Sequence, residues 1–159
     1  MKTTKKLLDA LNDLLADELT AISRYMVHSQ LCEEWGYGKL HKAIEHQAED
    51  EMHHAKKLIE RILFLEGRPV MSKLNPITIG KDVPEMLAGA EDDELKAVQS
   101  YNKAIVLARE AGDESTAHLL GKILRMEEGH MDWAERQRLQ VQQLGLQNYL
   151  ARQTKGATG

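Results

Sequence analysis

The sequence has a single cysteine, three prolines and no long apolar run. One cysteine, Cys32, is too few for an internal disulfide framework, a four-cysteine zinc or iron–sulfur site, or a CxxC redox pair. No apolar stretch approaches the roughly 18 residues that are needed to cross a bilayer. Asp9 and Asp13 fall where a signal peptide would be apolar. We therefore expect a soluble, cytoplasmic protein in which Cys32 is an inert packing residue.

An excess of basic charge is also missing. The chain has 25 acidic and 21 basic residues, well mixed, for a formal net charge of -4. This distribution does not favour nucleic acid as a partner, and an acidic balance suits cations. With 159 residues, the chain is long enough for one domain with a sizeable core and too short for two. We expect a single domain, residues 1–159.

The few prolines mark one segment of the chain. All three fall between Gly67 and Pro84, which predicts a long loop. On both sides of it apolar residues recur every three or four positions, which indicates amphipathic helices, with short breaks near Gly36 and Gly112. The predicted helices are about 4–35, 39–66, 84–111, 114–144 and 147–153. Short breaks join antiparallel neighbours and a long loop can run the length of a bundle. The expected fold is therefore all-α, with two helix hairpins joined by a crossover in a four-helix bundle, plus a short C-terminal helix.

The two halves of the chain repeat each other. Residues 17–25 (DELTAISRY) and 93–101 (DELKAVQSY) keep Asp, Glu, Leu, Ala and Tyr in register at a spacing of 76 residues. A Glu-x-x-His pair at 51–54 recurs at 127–130 with the same spacing. Coincidence over two separate helices is improbable, so the repeat indicates a duplicated hairpin whose halves face each other about an approximate two-fold axis.

Each apolar stripe carries a carboxylate in its middle. The carboxylate and imidazole side chains that fall on the stripes are Glu18, Glu51, His54, Glu94, Glu127 and His130. Ionised carboxylates in an apolar interior cost several kcal/mol each unless they are paired or bind metal. Two divalent cations would neutralise four carboxylates, and each Glu-x-x-His pair, on one helix face, can bind one of them. A glutamate from each of two helices with a Glu-x-x-His from each of the other two is the ligand pattern of di-iron carboxylate bundles.

The donor set also bears on the choice of metal. Carboxylates with two imidazoles suit iron or manganese better than copper, and zinc would fit without redox chemistry. Tyr25 and its repeat counterpart Tyr101 lie on the stripes beside the site. Symmetry favours a hydrogen bond to a carboxylate for both, with one-electron donation as the alternative for Tyr25. Asp17 and Asp93, one step off the stripes, are expected to be solvated, and His28 is expected to have no chemical role.

Over essentially its whole length the sequence resembles the bacterioferritins, in its helix lengths, crossover, short terminal helix and all six candidate ligands. The most specific position is Met52, which lies one step round the helix from a predicted ligand and so points out of the bundle. The resemblance implies that Met52 binds a b-type haem at a two-fold subunit interface, with one thioether from each subunit. Packing at a subunit contact is the alternative for this methionine.

The resemblance also implies a function. It implies a ferroxidase that oxidises Fe(II) with oxygen or peroxide at a di-iron centre and stores ferric mineral inside a 24-subunit shell, of one subunit type or mixed with a paralogue. Haem would help to release the iron, with electrons from a ferredoxin-type donor. His46 and Asp50, at i and i+4 on one helix face, match positions where some bacterioferritins bind iron on the inner surface. Ordinary exposed polar side chains are the alternative there.

Other classes of protein use similar sites. A rubrerythrin-like peroxidase normally carries a four-cysteine iron domain, which a chain with one cysteine cannot build. Oxygenase or reductase subunits are usually much longer and need room for a substrate. A non-catalytic iron or haem carrier would bind the same metals without oxidising them, and the sequence does not separate it from a ferroxidase. Whether the di-iron centre is a stable cofactor or a transit site is equally open.

Overall fold

The computed structural model describes residues 1–154, which form five α-helices and no strand in that range. The helices are α1 (Lys5–Glu34), α2 (Gly38–Phe64), α3 (Val83–Glu110), α4 (Glu114–Leu144) and α5 (Leu146–Gln153). Each begins and ends within about two residues of the predicted bounds, so the all-α prediction is confirmed. Residues 155–159, which the prediction placed in the same domain, lie outside the described residues. No helix within 1–154 is both long and apolar enough to cross a membrane.

Local sequence signals set the ends of the long helices. Thr4, Asp82 and Asp113 each precede a helix, and their side chains accept a hydrogen bond from the backbone N–H three residues later. These bonds satisfy N–H groups that would otherwise lack a partner in the first turn. The turns after α1 and α3 pass through Gly36 and Gly112 at φ values of 81° and 73°, a backbone region that favours glycine. The two tight turns fold each half of the chain into a hairpin.

The crossover between the hairpins runs along α1. α1 packs mainly against α2 and α3 mainly against α4, while residues 65–82 connect them. Asn12 accepts a hydrogen bond from the N–H of Val70, and further along α1 the hydroxyl of Thr20 accepts one from the N–H of Asn75. The backbone of the crossover therefore lies along α1, while most of its side chains are exposed.

His28 fixes the far end of the crossover. Its Nε2 accepts a hydrogen bond of 3.1 Å from the N–H of Gly80, and the side chain is buried. Burial, together with the charge of Arg24, lowers the pKa of His28 to about 4, so the ring is neutral near pH 7 and can accept this bond. His28 was expected to have no chemical role, and its structural role was not predicted because Gly80, its hydrogen-bond partner, lies in an irregular segment.

The apolar core is divided into two clusters by a polar layer. One cluster contains Leu11, Leu58 and Leu120, the other contains Cys32 and Ile44, and each draws residues from all four long helices. On every long helix the inward-facing glutamate falls between the two clusters. The packing role predicted for Cys32 is confirmed, since the thiol is fully buried and burial raises its pKa to about 11. Packing above and below therefore holds four carboxylates in one layer across the bundle.

Candidate metal centre

The six side chains that the sequence singled out converge from four helices into this polar layer. They are Glu18 from α1, Glu51 and His54 from α2, Glu94 from α3, and Glu127 and His130 from α4. All six are buried, with exposed fractions between 1% and 7%. Four carboxylates held this far from water need compensating positive charge.

The donor atoms form two groups that share two carboxylates. One group consists of Glu18, Glu51, His54 and Glu127, and the other of Glu51, Glu94, Glu127 and His130. Within each group, one nitrogen or oxygen atom from every residue lies within 4.8 Å of the others. Because Glu51 and Glu127 belong to both groups, each can offer one oxygen to either side, as a bridging carboxylate does. The residues present thus fit two neighbouring metal ions.

Each histidine lies closest to a glutamate of the opposite hairpin. Nδ1 of His54 is 2.9 Å from Oε1 of Glu127, compared with 3.6 Å to Oε2 of Glu51 on its own helix. Nδ1 of His130 is 2.8 Å from Oε1 of Glu51, compared with 3.8 Å to Oε2 of Glu127. Both donor groups are therefore built across the boundary between the two hairpins.

Two tyrosines hold the glutamates that are not shared. Tyr101 donates a hydrogen bond of 2.5 Å to Oε1 of Glu18, and Tyr25 donates one to Oε1 of Glu94. Both tyrosines are fully buried, and they occupy equivalent positions in the repeat. The structure thus shows the hydrogen-bonding role that repeat symmetry predicted for both.

Several donor atoms of the centre have no hydrogen-bond partner. Among residues 1–154, five buried side-chain nitrogen or oxygen atoms lack one, and four belong to this centre: Oε2 of Glu18, Oε1 of Glu51, Oε2 of Glu94 and Nδ1 of His130. Oε1 of Glu51 and Nδ1 of His130 are only 2.8 Å apart, yet they are not aligned as a hydrogen bond. Buried polar atoms are rarely left unpaired in folded proteins, and these four are oriented as ligands of a cation.

The ionisation of the carboxyl groups reflects their crowding. Burial, followed by repulsion from neighbouring carboxylates, raises the pKa of Glu18 and of Glu94 well above its usual value. Burial also raises the pKa of Glu127 to about 7. Burial alone would lower the pKa of His54, but the hydrogen bond to Glu127 and the nearby carboxyl groups of Glu18 and Glu51 outweigh it and raise that pKa to about 12. Protons and metal cations therefore compete for the same donor atoms.

Asp50 contacts the centre from outside, a contact that the sequence pattern did not reveal. Its Oδ2 lies 2.9 Å from Nε2 of His130, and its side chain is 16% exposed. His46 is far more exposed, with 75% of its side chain in solvent, and its Nε2 is 4.0 Å from Oδ1 of Asp50. The two residues do share a helix face, but Asp50 is primarily a partner of His130, on another helix, where periodicity gives no signal.

The solvated role expected for Asp17 and Asp93 is only partly correct, because each side chain is partly exposed but also binds another residue. Asp93 forms an ion pair of 2.7 Å with Nη1 of the buried Arg24, and Asp17 accepts a hydrogen bond of 2.7 Å from Nδ2 of Asn75. The guanidinium of Arg24 also stacks over the Tyr25 ring, 4.7 Å from its centroid. Both aspartates line the groove between α1, α3 and the crossover. The crossover partly closes this groove, and the helical pattern does not predict the path of the crossover.

Met52 points away from the bundle interior, as its place on the helix predicts, and 57% of it is exposed. One turn before it, Ala48 lines an open groove of about 560 Å³ between α1 and α2. Most of the side-chain surface there is apolar and comes from residues such as Met26, Val27 and Leu31. An exposed thioether therefore lies beside an apolar groove on the surface of the bundle.

A four-helix bundle whose interior holds two carboxylate–imidazole donor groups with two shared glutamates defines the class of dinuclear carboxylate metalloproteins. Comparison with known families agrees, since residues 8–144 match the ferritin-like domain. The chain belongs to the ferritin family.

Within that family the chain is similar to bacterial ferritins and bacterioferritins. It is 42% identical to the bacterial ferritin of Synechocystis sp. over 154 residues, which cover 96% of this chain and 99% of the relative. It is 40% identical to the bacterioferritin of Rhodobacter capsulatus over 149 residues, covering 94% and 92% of the two chains. For the bacterioferritin of Brucella melitensis the identity is 37%, with the same coverage. The predicted resemblance to the bacterioferritins is confirmed.

Proposed function

We propose that this chain is the subunit of an iron store with ferroxidase activity. It oxidises Fe(II) to Fe(III) at the dinuclear centre and passes the product to a ferric mineral inside an oligomeric shell. The observation that carries the proposal is the pair of buried donor groups joined by Glu51 and Glu127. Membership of the ferritin family supports it independently.

The geometry suggests a role for each ligand. Glu18 and His54 would complete the coordination of one iron, Glu94 and His130 that of the other, and the shared glutamates would bridge them. Carboxylate oxygens with one imidazole per metal suit iron in both oxidation states. Two adjacent Fe(II) ions can deliver two electrons together, which matches the reduction of oxygen to peroxide or of peroxide to water.

Aerobic addition of Fe(II), followed by stopped-flow absorbance, tests this assignment. The wild type should show a fast oxidation phase that saturates at two irons per subunit, one for each donor group, and then slower mineral growth. Glu18→Ala and Glu127→Ala should abolish the fast phase. Glu128→Ala removes an exposed carboxylate next in sequence and should leave it intact. A fast phase that persists in both site variants would disprove the site, whereas a wild type that binds iron without oxidising it would support the carrier alternative.

We also propose that haem binds at Met52. An exposed thioether beside an apolar groove fits a flat apolar group that a second copy of the chain, with its own Met52, would enclose. When bound, haem would supply one-electron transfer between a ferredoxin-type donor and the mineral. The apolar side chains of this groove would provide the low-polarity contact that such a group requires.

Three further assignments rest on the family resemblance. The shell would contain 24 subunits, of this chain alone or mixed with a paralogue, and the mass of the purified assembly tests this. His46 and Asp50 would bind iron at the inner surface, supported by their shared helix face. Residues 1–159 would form one domain that acts in the cytoplasm, where a single free thiol such as Cys32 stays reduced.

A further inference from the structure

A cavity of about 510 Å³ lies between α1, α3 and the crossover. Its lining includes all four glutamates of the centre and extends to Asp92, whose side chain is 63% exposed. Asp17 and Asp93 are also part of its lining. The cavity therefore joins the protein surface to the metal centre along a wall on which acidic side chains outnumber basic ones.

One buried cation lies in this acidic cavity. Arg24 is only 6% exposed and pairs with Asp93, and its Nε is buried with no hydrogen-bond partner. The other basic residue with a permanent charge in the lining, Lys96, is 69% exposed and pairs with Asp92. Burial opposes the charge of Arg24, but the neighbouring Tyr25, Asp93 and Glu94 raise its pKa, so the guanidinium stays charged.

Stabilisation of the fold does not explain why Arg24 is buried in this cavity. The desolvation of a buried ion pair offsets most of its attraction, and an unpaired donor adds a further cost. The repeat sharpens the point, because the counterparts of Arg24 and Asp93 are Ser100 and Asp17, which also line the cavity. Asp17 binds Asn75 of the crossover, and the cation near it is Lys73, which is exposed and pairs with Asp13. A buried positive charge is therefore present on one side of the approximate two-fold axis only, next to the Tyr25–Glu94 hydrogen bond.

We propose that Arg24 is an electrostatic gate: its fixed positive charge cancels the attraction of Asp93 and so limits how fast divalent cations pass through this cavity to the metal centre. The inference rests on the proposed function, because it requires that the centre binds such cations. A charge inside a narrow protein cavity acts on a passing ion more strongly than the same charge at an open surface. The gate sets the rate of loading, whereas the six ligands set the affinity.

The rate of Co²⁺ uptake by the full protein, followed through the visible absorption of the bound ion, tests the gate without any oxidation step. Arg24→Gln leaves the charge of Asp93 uncompensated, so uptake should be roughly tenfold faster. Asp93→Asn leaves the charge of Arg24 uncompensated, so uptake should be slower by a similar factor. The double variant, Arg24→Gln with Asp93→Asn, should return close to the wild-type rate, because the net charge of the pair is zero in both.

The opposite directions separate a gate from a structural link. An ion pair that merely holds α1 to α3 would be broken in both single variants, and both rates would move the same way. Arg24→Lys keeps the charge and should stay within about twofold of the wild type, and the effect of Arg24→Gln should shrink as salt screens the cavity. Lys103→Gln removes an exposed charge from α3 outside the cavity lining and should change nothing.

The possible outcomes lead to distinct conclusions. Rates that rise in Arg24→Gln, fall in Asp93→Asn and recover in the double variant support the gate. Unchanged rates, or shifts in one direction for both single variants, disprove the gate but do not affect the assignment of the metal centre. If Arg24→Gln does not fold, the slower uptake of Asp93→Asn and its salt dependence decide the question alone. A wild type that binds no Co²⁺ overturns the metal centre and the gate together.

Discussion

Oδ2 of Asp50 lies 2.9 Å from Nε2 of His130, on the far side of the ring from the metal centre. A hydrogen bond from Nε2–H to Asp50 leaves the lone pair of Nδ1 directed at the donor group. Carboxylates that hold a ligating imidazole in this way fix its tautomer and orientation. Asp50 therefore joins the surface of α2 to a ligand on α4. From this position it can orient His130 as a ligand, or it can bind iron at the inner surface together with His46.

The variants Asp50→Ala and His46→Ala distinguish these roles. If Asp50 positions His130, its removal should slow the fast phase of Fe(II) oxidation roughly tenfold, while His46→Ala, which changes an exposed side chain, should leave that phase unchanged. If the pair binds iron at the inner surface, both variants should slow the later mineral growth. A fast phase of normal rate in Asp50→Ala would refute the positioning role.

The two tyrosines give a second prediction. Tyr25→Phe and Tyr101→Phe each remove the donor that holds one glutamate oxygen, which leaves a buried carboxylate oxygen unpaired. The cost of such a loss is about 1–3 kcal/mol, so the free energy of unfolding of each chelated variant, measured by denaturant titration, should fall by about that amount. The two effects should be similar, because the positions are equivalent in the repeat.

The rates of Fe(II) oxidation in the same two variants test the one-electron role. A donor of single electrons at Tyr25 would make Tyr25→Phe far slower than Tyr101→Phe at saturating iron. The cation of Arg24 over the Tyr25 ring disfavours removal of an electron from that ring. We therefore expect equal oxidation rates, and a large difference would contradict this expectation.

Metal binding should depend on pH. Protons occupy Glu127 below about pH 7, and the raised pKa values of Glu18 and Glu94 act in the same direction. Because a metal must displace these protons, the affinity for Co²⁺ should rise as the pH rises from about 6 to 8. Titrations with Co²⁺ at three pH values measure this affinity. An affinity that does not change with pH would contradict the assigned ionisation.

When a chelator keeps the centre free of metal, the stability of the fold should fall as the pH rises, whereas the metal affinity rises. A carboxyl group whose pKa is higher in the folded state binds its proton more tightly there, so the stability that it contributes is present at low pH and lost as the pH rises. For Glu127 the loss falls between about pH 4.5 and 7. His28, whose pKa is lowered to about 4, contributes the opposite trend, but Glu18, Glu94 and Glu127 together outweigh it. The Tm of the chelated protein should therefore fall as the pH is raised through this range, and Glu127→Gln should reduce the fall.

Loss of the Met52 thioether tests the haem site. Met52→Ala should remove the visible haem absorbance, while the mass of the assembly and the fast oxidation phase stay as in the wild type. Met126→Ala is the matched control, because this methionine is also exposed but lies on α4. Full haem content in Met52→Ala would show that the thioether is not the ligand.

The parts of the structure that repeat along a helix were predictable from the sequence. Leu11, Leu58 and Leu120 reveal the core stripes through their spacing, and a carboxylate such as Glu51 on such a stripe reveals the polar layer. The 76-residue repeat then predicts that the layer is shared between two hairpins. These inferences need only the helical period and the cost of burying charge.

Contacts between unlike elements were not predictable in the same way. The pairs Arg24–Asp93 and His130–Asp50 join different helices through long side chains, and the Nε2 of His28 meets a backbone N–H of the crossover. Their formation depends on how the helices are rotated and on the path of an irregular segment. No periodic pattern encodes either.

The donor groups that span the hairpin boundary bear on assembly of the subunit. His54 meets Glu127 and His130 meets Glu51, so neither hairpin alone brings together a complete set of ligands. A bound ion therefore adds a direct link between two hairpins that are covalently connected by one irregular segment and that share the apolar core. The appearance of bound metal would report the final docking step of folding, and iron supply and subunit maturation become linked events.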